Sequence, residues 1–190
     1  ELLSGSKHFY DDLGNEIGSA EFMNGELDKA HCTSFQFSKS ETEVTGEEDE
    51  AQTITTGYEK EINPSSYTEE VDPANFYDQF NDSVLSETIT KTVTDAEGNN
   101  LSQTTTYLRG KNKTETVTTY ENDDFGRTVK ENTIQKKYQD GRWLPSYETE
   151  VSYTYDENGN VTETETKSRK EGETDWQTQK TKAVYDSKGQ

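Results

Sequence analysis

One short motif returns along this chain at nearly constant spacing. Tyr155-Asp156-Glu157-Asn158-Gly159-Asn160-Val161 reappears as Tyr185-Asp186-Ser187-Lys188-Gly189-Gln190, with the two tyrosines 30 residues apart. Upstream, Tyr120-Glu121-Asn122-Asp123-Asp124-Phe125-Gly126-Arg127 places its glycine 33 residues before Gly159, and Thr94-Asp95-Ala96-Glu97-Gly98-Asn99 lies a further 28 residues back. An N-terminal copy, Tyr10-Asp11-Asp12-Leu13-Gly14-Asn15, stands three such periods earlier still. In each copy the aspartate can accept from backbone N–H groups just ahead of it, and the glycine takes the positive φ that a tight reversal needs. A chain that reverses at a fixed period is confined to hairpins or a solenoid of them.

A second marker falls between these turns. Asp140-Gly141-Arg142-Trp143 and Glu171-Gly172-Glu173-Thr174-Asp175-Trp176 hold the same place in successive repeats, so each unit contains two turns and two strands. The segments between are rich in Thr, Tyr, Val and Glu, which suit a pleated surface better than a helix. Along Tyr147, Thr149, Val151, Tyr153 and Tyr155 every second residue is large or β-branched while Glu148, Glu150, Ser152 and Thr154 are polar, the period of a half-buried strand. Leu85, Ile89 and Val93 continue the scheme, as do Leu101, Thr105 and Tyr107, and Phe35 with Phe37. Residues 161–167 offer threonine on one side and charge on the other, so their sheet is thin, covered by solvent or by hydroxyls and side-chain stems. One short helix is predicted near 73–81, where Asp72 is an N-cap, Pro73 the first helical residue, and Phe76 and Phe80 share a face. Residues 20–30 are a second helical candidate, but Gly25 in their middle favours two short strands.

These patterns predict an all-β protein: an antiparallel meander of repeated β-hairpins with strands of about 6–11 residues. It forms an extended twisted sheet or an open barrel, in a single elongated domain over 1–190 with a degenerate part at 1–95 and clearer repeats at 96–190. Composition agrees with a thin sheet, since only 26% of residues are apolar. The net charge is −20, with 39 acidic against 19 basic residues, and the first 95 residues carry −17 of it. Nucleic acid and anionic membrane surfaces are disfavoured because no basic patch exists to neutralise phosphates. No apolar stretch has the roughly 18–20 residues of a membrane span. The run Glu47, Glu48, Asp49, Glu50 reads as a solvated loop, although a cation remains allowed.

The units Tyr155-Asp156-x-x-Gly159-Asn160-Val161 and Tyr185-Asp186-x-x-Gly189 resemble the YD repeat of bacterial RHS and wall-associated proteins, over about residues 115–190. That resemblance implies a continuous wound hairpin sheet in an exported or cell-surface bacterial protein, and carbohydrate binding, which is ascribed to some members. It implies no catalytic residue. The start at Glu1 without an initiator methionine fits a removed signal segment or other removed upstream sequence.

No catalytic residue, metal site or cofactor is predicted. His8 and His31 stand outside any nucleophile or metal pattern, and Cys32 reads as a small buried hydrophobe. The oxygens of Asp156, Asn158 and Asn160 superficially resemble a calcium loop, but a hairpin turn accounts for them, as for Asp11, Asp12 and Asn15. The candidate ligand-binding residues are the aromatics Trp143, Trp176, Tyr138, Tyr153 and Tyr155, expected to line one face that stacks sugar rings or a protein partner, or that supplies the core. The leading expectation is a non-enzymatic exported module acting as a structural or ligand-presenting surface, with a polysaccharide or protein at the cell surface as partner. A carbohydrate-binding module using the Trp143 and Trp176 face is the alternative, followed by a cation-binding or catalytic role of the acidic first half.

Overall fold

A computed structural model describes residues 4–10, 14, 16–23, 34–62 and 84–185. Eleven strands form one sheet in the order of the sequence: β1 (Ser4–Tyr10), β2 (Glu16–Met23), β3 (Ser34–Thr45), β4 (Gln52–Ile62), β5 (Val84–Thr94), β6 (Asn100–Arg109), β7 (Asn112–Asn122), β8 (Thr128–Gln139), β9 (Arg142–Tyr155), β10 (Val161–Lys170) and β11 (Gln177–Lys182). The all-β antiparallel meander is therefore as the turn period predicts. With β1 and β11 at opposite ends of the order, the sheet is not closed into a barrel. A single 3-10 turn, Glu48–Glu50, is the only helical element among the described residues. The helix predicted near 73–81 lies outside them, as do His31, Cys32, Asp11, Asp12, Asn15 and the turn beginning at Asp186. Residues 20–23 belong to β2, in line with the strand reading, and the rest of 20–30 lies outside the described residues. Strands reach 14 residues in β9, longer than the predicted range.

The reversals are built as the motif requires. In three copies the aspartate N–H donates to the carbonyl four residues on, and the glycine N–H donates back to the aspartate carbonyl, over 95–99, 123–127 and 156–160. At the other kind of turn Asp140 and Gly141 both have positive φ, 53° and 79°, the geometry of a two-residue hairpin whose twist matches its strands.

The chain divides into two compact units. The first comprises Glu1–Glu43, Thr55–Lys91 and Thr106–Lys113, and the second Val44–Ile54, Thr92–Thr105 and Thr114–Gln190. Unit 1 holds the few buried side chains among the described residues: Ile62 is fully buried and Lys60 is 2% exposed, its ammonium 3.9 Å from Glu87. In the same unit Lys39 lies over the Tyr58 ring at 4.8 Å and pairs with Glu41 at 3.1 Å. Burial, and then the Glu41 carboxylate, raise the Tyr58 pKa. In unit 2 no described residue is buried. Its strands β8–β11 are one layer thick, with water reaching both faces, as the polar alternation of residues 161–167 implies.

Candidate functional site

Register decides what each face of unit 2 carries, because directly paired residues of antiparallel strands point to the same side. Pairing of β7 with β8 sets Thr116 against Gln135, Thr118 against Thr133 and Tyr120 against Glu131. Pairing of β8 with β9 continues those rows to Tyr147, Thr149 and Val151. From there β10 adds Lys170, Ser168 and Thr166, and β11 adds Gln177 and Gln179. This face is largely hydroxyl, amide and aromatic, with Glu131, Lys137, Arg142 and Lys170 as its charged side chains in β7–β11. The hydroxyls of Thr118 and Thr133 bond to each other at 3.0 Å. Hydrogen bonds from the Ser168 and Thr149 hydroxyls hold the Tyr147 phenol below its usual pKa.

The intervening residues make the opposite face a charge ladder. Lys130 lies 3.9 Å from Glu121 and 2.9 Å from Glu150, and Lys167 bridges Glu150 at 3.2 Å to Glu165 at 3.5 Å. Lys180 joins Glu165 to Glu163, and Lys182 closes the chain on Glu163 at 2.9 Å. Four lysines and four glutamates thus alternate without a break from β7 to β11. Beside them Arg169 holds Glu148 and Lys136 holds Glu115 at 2.8 Å. Lys130, Glu150, Glu163, Glu165, Lys167 and Lys180 are each shifted by their neighbours toward the charged form. The Lys130 ammonium, then Lys167, lower the Glu150 pKa, while Lys182 lowers Glu163 and Lys180 lowers Glu165. Hydrogen bonding to Glu150 raises both Lys130 and Lys167.

The five candidate aromatics do not share one face. Tyr153 and Tyr155 lie on the neutral side, paired with Thr164 and Val161. Tyr153 donates its hydroxyl to Glu131 at 3.0 Å, and burial followed by that bond pushes its pKa up to about 12. Tyr155 donates to the Thr128 carbonyl at 2.6 Å, and its ring carries the Arg127 guanidinium at 4.6 Å. Tyr138 and Trp143 pair across β8 and β9 on the charged side, edge to face at 5.3 Å. The cause is a bulge: Gln135 pairs with Tyr147 but Lys136 with Pro145, so Ser146 is an extra residue in β9 and alternation shifts by one. The expectation of a single aromatic face is corrected on this point. Trp176, just ahead of β11, covers the Arg169 guanidinium at 4.6 Å, which places it beside the charged ladder.

The turn carboxylates are occupied by the turns themselves. Asp156 Oδ1 accepts the N–H groups of Asn158 and Asn160 at 2.9 and 2.8 Å, and Oδ2 accepts Asn160 Nδ2 at 3.0 Å. Asp95 repeats this with Asn99 at 2.7 and 2.9 Å, and Asp123 with Arg127, whose Nε replaces the amide at 2.8 Å. Those side-chain bonds lead the causes that lower all three aspartates below the usual carboxylate range. Between two adjacent turns lies an acidic notch of about 580 Å³ lined by Asp95, Glu97, Asp123, Asp124 and Phe125 among others. No group of three or more metal-ligating side chains occurs among the described residues. His8 lies within 3.4 Å of the Ser6 hydroxyl. No helix among the described residues is long and apolar enough to cross a membrane.

No protein-family model matches this chain, and no curated protein matches it in sequence.

Proposed function

We propose that this chain is a non-enzymatic β-repeat module of an exported bacterial protein, a structural or ligand-presenting surface of the YD-repeat kind. One observation carries the reading: no described residue of unit 2 is buried, so those side chains serve cross-strand ladders and solvent-washed faces instead of a core. A carboxylate acquires the raised pKa that acid–base catalysis uses when it is desolvated, and none of the described carboxylates of unit 2 is buried. The side chains on both faces are instead partly exposed, which suits a spacer or a platform. Export and surface location rest on the turn motif's resemblance, and a membrane-impermeant label on intact cells tests them; a chain labelled only after lysis removes that part.

A second reading is a carbohydrate-binding module using the aromatics. Its support is exposure: Tyr138 is 45% and Trp176 40% accessible. Tryptophan fluorescence with acrylamide quenching, repeated against soluble polysaccharides, separates the two. Emission that shifts and resists quenching on adding one glycan favours the binding module. Emission unchanged by every glycan leaves the structural module.

A further inference from the structure

We infer that the hydroxyl-and-tyrosine face of β7–β11 is the interface of a symmetric dimer, its occupant a second copy of the same sheet packed face to face. This goes beyond the proposed function, which a monomer would serve equally well. An antiparallel sheet with charge on one face and apolar or neutral side chains on the other ordinarily covers the second face with another layer. Here the ladder is the solvent face, while Tyr120, Tyr147, Val151, Tyr153 and Leu144 face the other way from strands in which no described residue is buried. Tyrosine is also among the residues that interfaces favour. At about 3.3 Å per residue and 4.8 Å between strands, β7–β11 present a footprint of about 800 Å². Each partner gives roughly that area, about 800 Å², to a protein–protein interface of standard size.

Self-complementarity selects a second copy as the occupant. The row Thr118, Thr133, Thr149, Ser168 and Gln177 crosses the five strands without a charge. In β7–β11 the one carboxylate of this face, Glu131, lies on one side of that row, and its three cations, Lys170, Lys137 and Arg142, lie on the other. A two-fold axis along the row sets each hydroxyl against its own counterpart, a match that works because a hydroxyl both donates and accepts. The same rotation exchanges the two sides of the row, so Glu131 comes to the side of the second copy's Lys137 and Lys170, and the reverse. It also brings Val151 over the second copy's Tyr147 and Tyr153 over its Leu144, with the strands of the two sheets within about 30° of each other. The net charge of −20 leaves this approach open, because residues 1–95 carry −17 of it.

The test is sedimentation equilibrium of the whole protein across the micromolar range, where a monomer–dimer equilibrium is expected. Thr149→Lys sets like charges against each other at the axis and should weaken the dimer about tenfold or more. Lys136→Gln, on the charged face, should leave the equilibrium unchanged. In a Cys32→Ser background, a short bismaleimide should join Thr149→Cys into a covalent dimer and should not join Lys136→Cys. If Thr149→Lys melts early, Thr133→Lys repeats the test in the same row. A protein that stays monomeric throughout would overturn the inference and leave the structural module standing. A dimer that neither lysine variant weakens, or that cross-links through Lys136→Cys instead, puts the contact on another surface and overturns it as well.

Discussion

The two faces of unit 2 come from the same strands, are half-exposed to similar degree, and are held by different forces. On one, hydroxyls, amides and tyrosines interlock with few charges; on the other, eight side chains of alternating sign run from Glu121 to Lys182. The difference teaches that a sheet without a second layer can be specified twice over, each face enforcing the register that the other also needs. Slipping one strand by a residue would put lysines among threonines and glutamates among tyrosines, an error against both faces at once.

The comparison is broken most strongly by moving charge to the neutral face. Val151→Asp would set a second carboxylate directly against Glu131, and should cost roughly 2 kcal/mol in urea unfolding, with little relief from salt. Tyr153→Phe removes the bond to Glu131 and should cost about 1 kcal/mol. The tyrosine's raised folded pKa means that its stabilisation is complete below pH 10 and lost as pH rises from 10 towards about 12. Absorbance titration of tyrosinate should show late-titrating phenols, with one fewer in the phenylalanine variant.

The charged face should respond to pH in the opposite direction. Glu150, Glu163 and Glu165 have folded pKa values depressed below 4.5, so their contribution is present above that value and disappears as pH falls through the depressed ones. Replacing all three by glutamine should flatten the fall in melting temperature between pH 6 and pH 3; an unchanged acid limb would mean that the ladder does not stabilise the fold. Lys167→Glu, which sets a third carboxylate between Glu150 and Glu165, should give the smallest drop in melting temperature at ordinary salt. That drop should shrink further in 1 M salt, where the screening length is only about 3 Å. Equal salt sensitivity of the Val151→Asp and Lys167→Glu variants would erase the distinction between the faces.

Much of this architecture is legible in residues close together in the chain. The Asp-x-x-Gly turns announce themselves because their bonds close within five residues, and the threonine-and-charge alternation of 161–167 shows β10 with its two chemistries. The aromatic face was not legible as drawn, because the extra residue Ser146 is visible only once Lys136 is seen opposite Pro145. A proline inside an alternating run, with no N–H to give to the ladder, is the available warning. The ladder was missed for a related reason: Lys130 and Glu150, or Glu165 and Lys180, are brought together by register, and single-strand periodicity carries no register between strands. The glycine at 126 has a tighter requirement than its motif suggests, since at φ 75° a Cβ there would lie 2.5 Å from the Asn99 side chain.

The near-absence of hidden side chains among the described residues also bears on how the sheet meets temperature. The heat-capacity increment of unfolding comes from apolar surface newly wetted, and polar surface subtracts from it. With Ile62 the one buried apolar residue among those described, unfolding uncovers little of the first kind. The stability curve of such a sheet is shallow, its enthalpy nearly constant over tens of degrees, and the cold limb that shuts down oil-filled domains lies far below freezing.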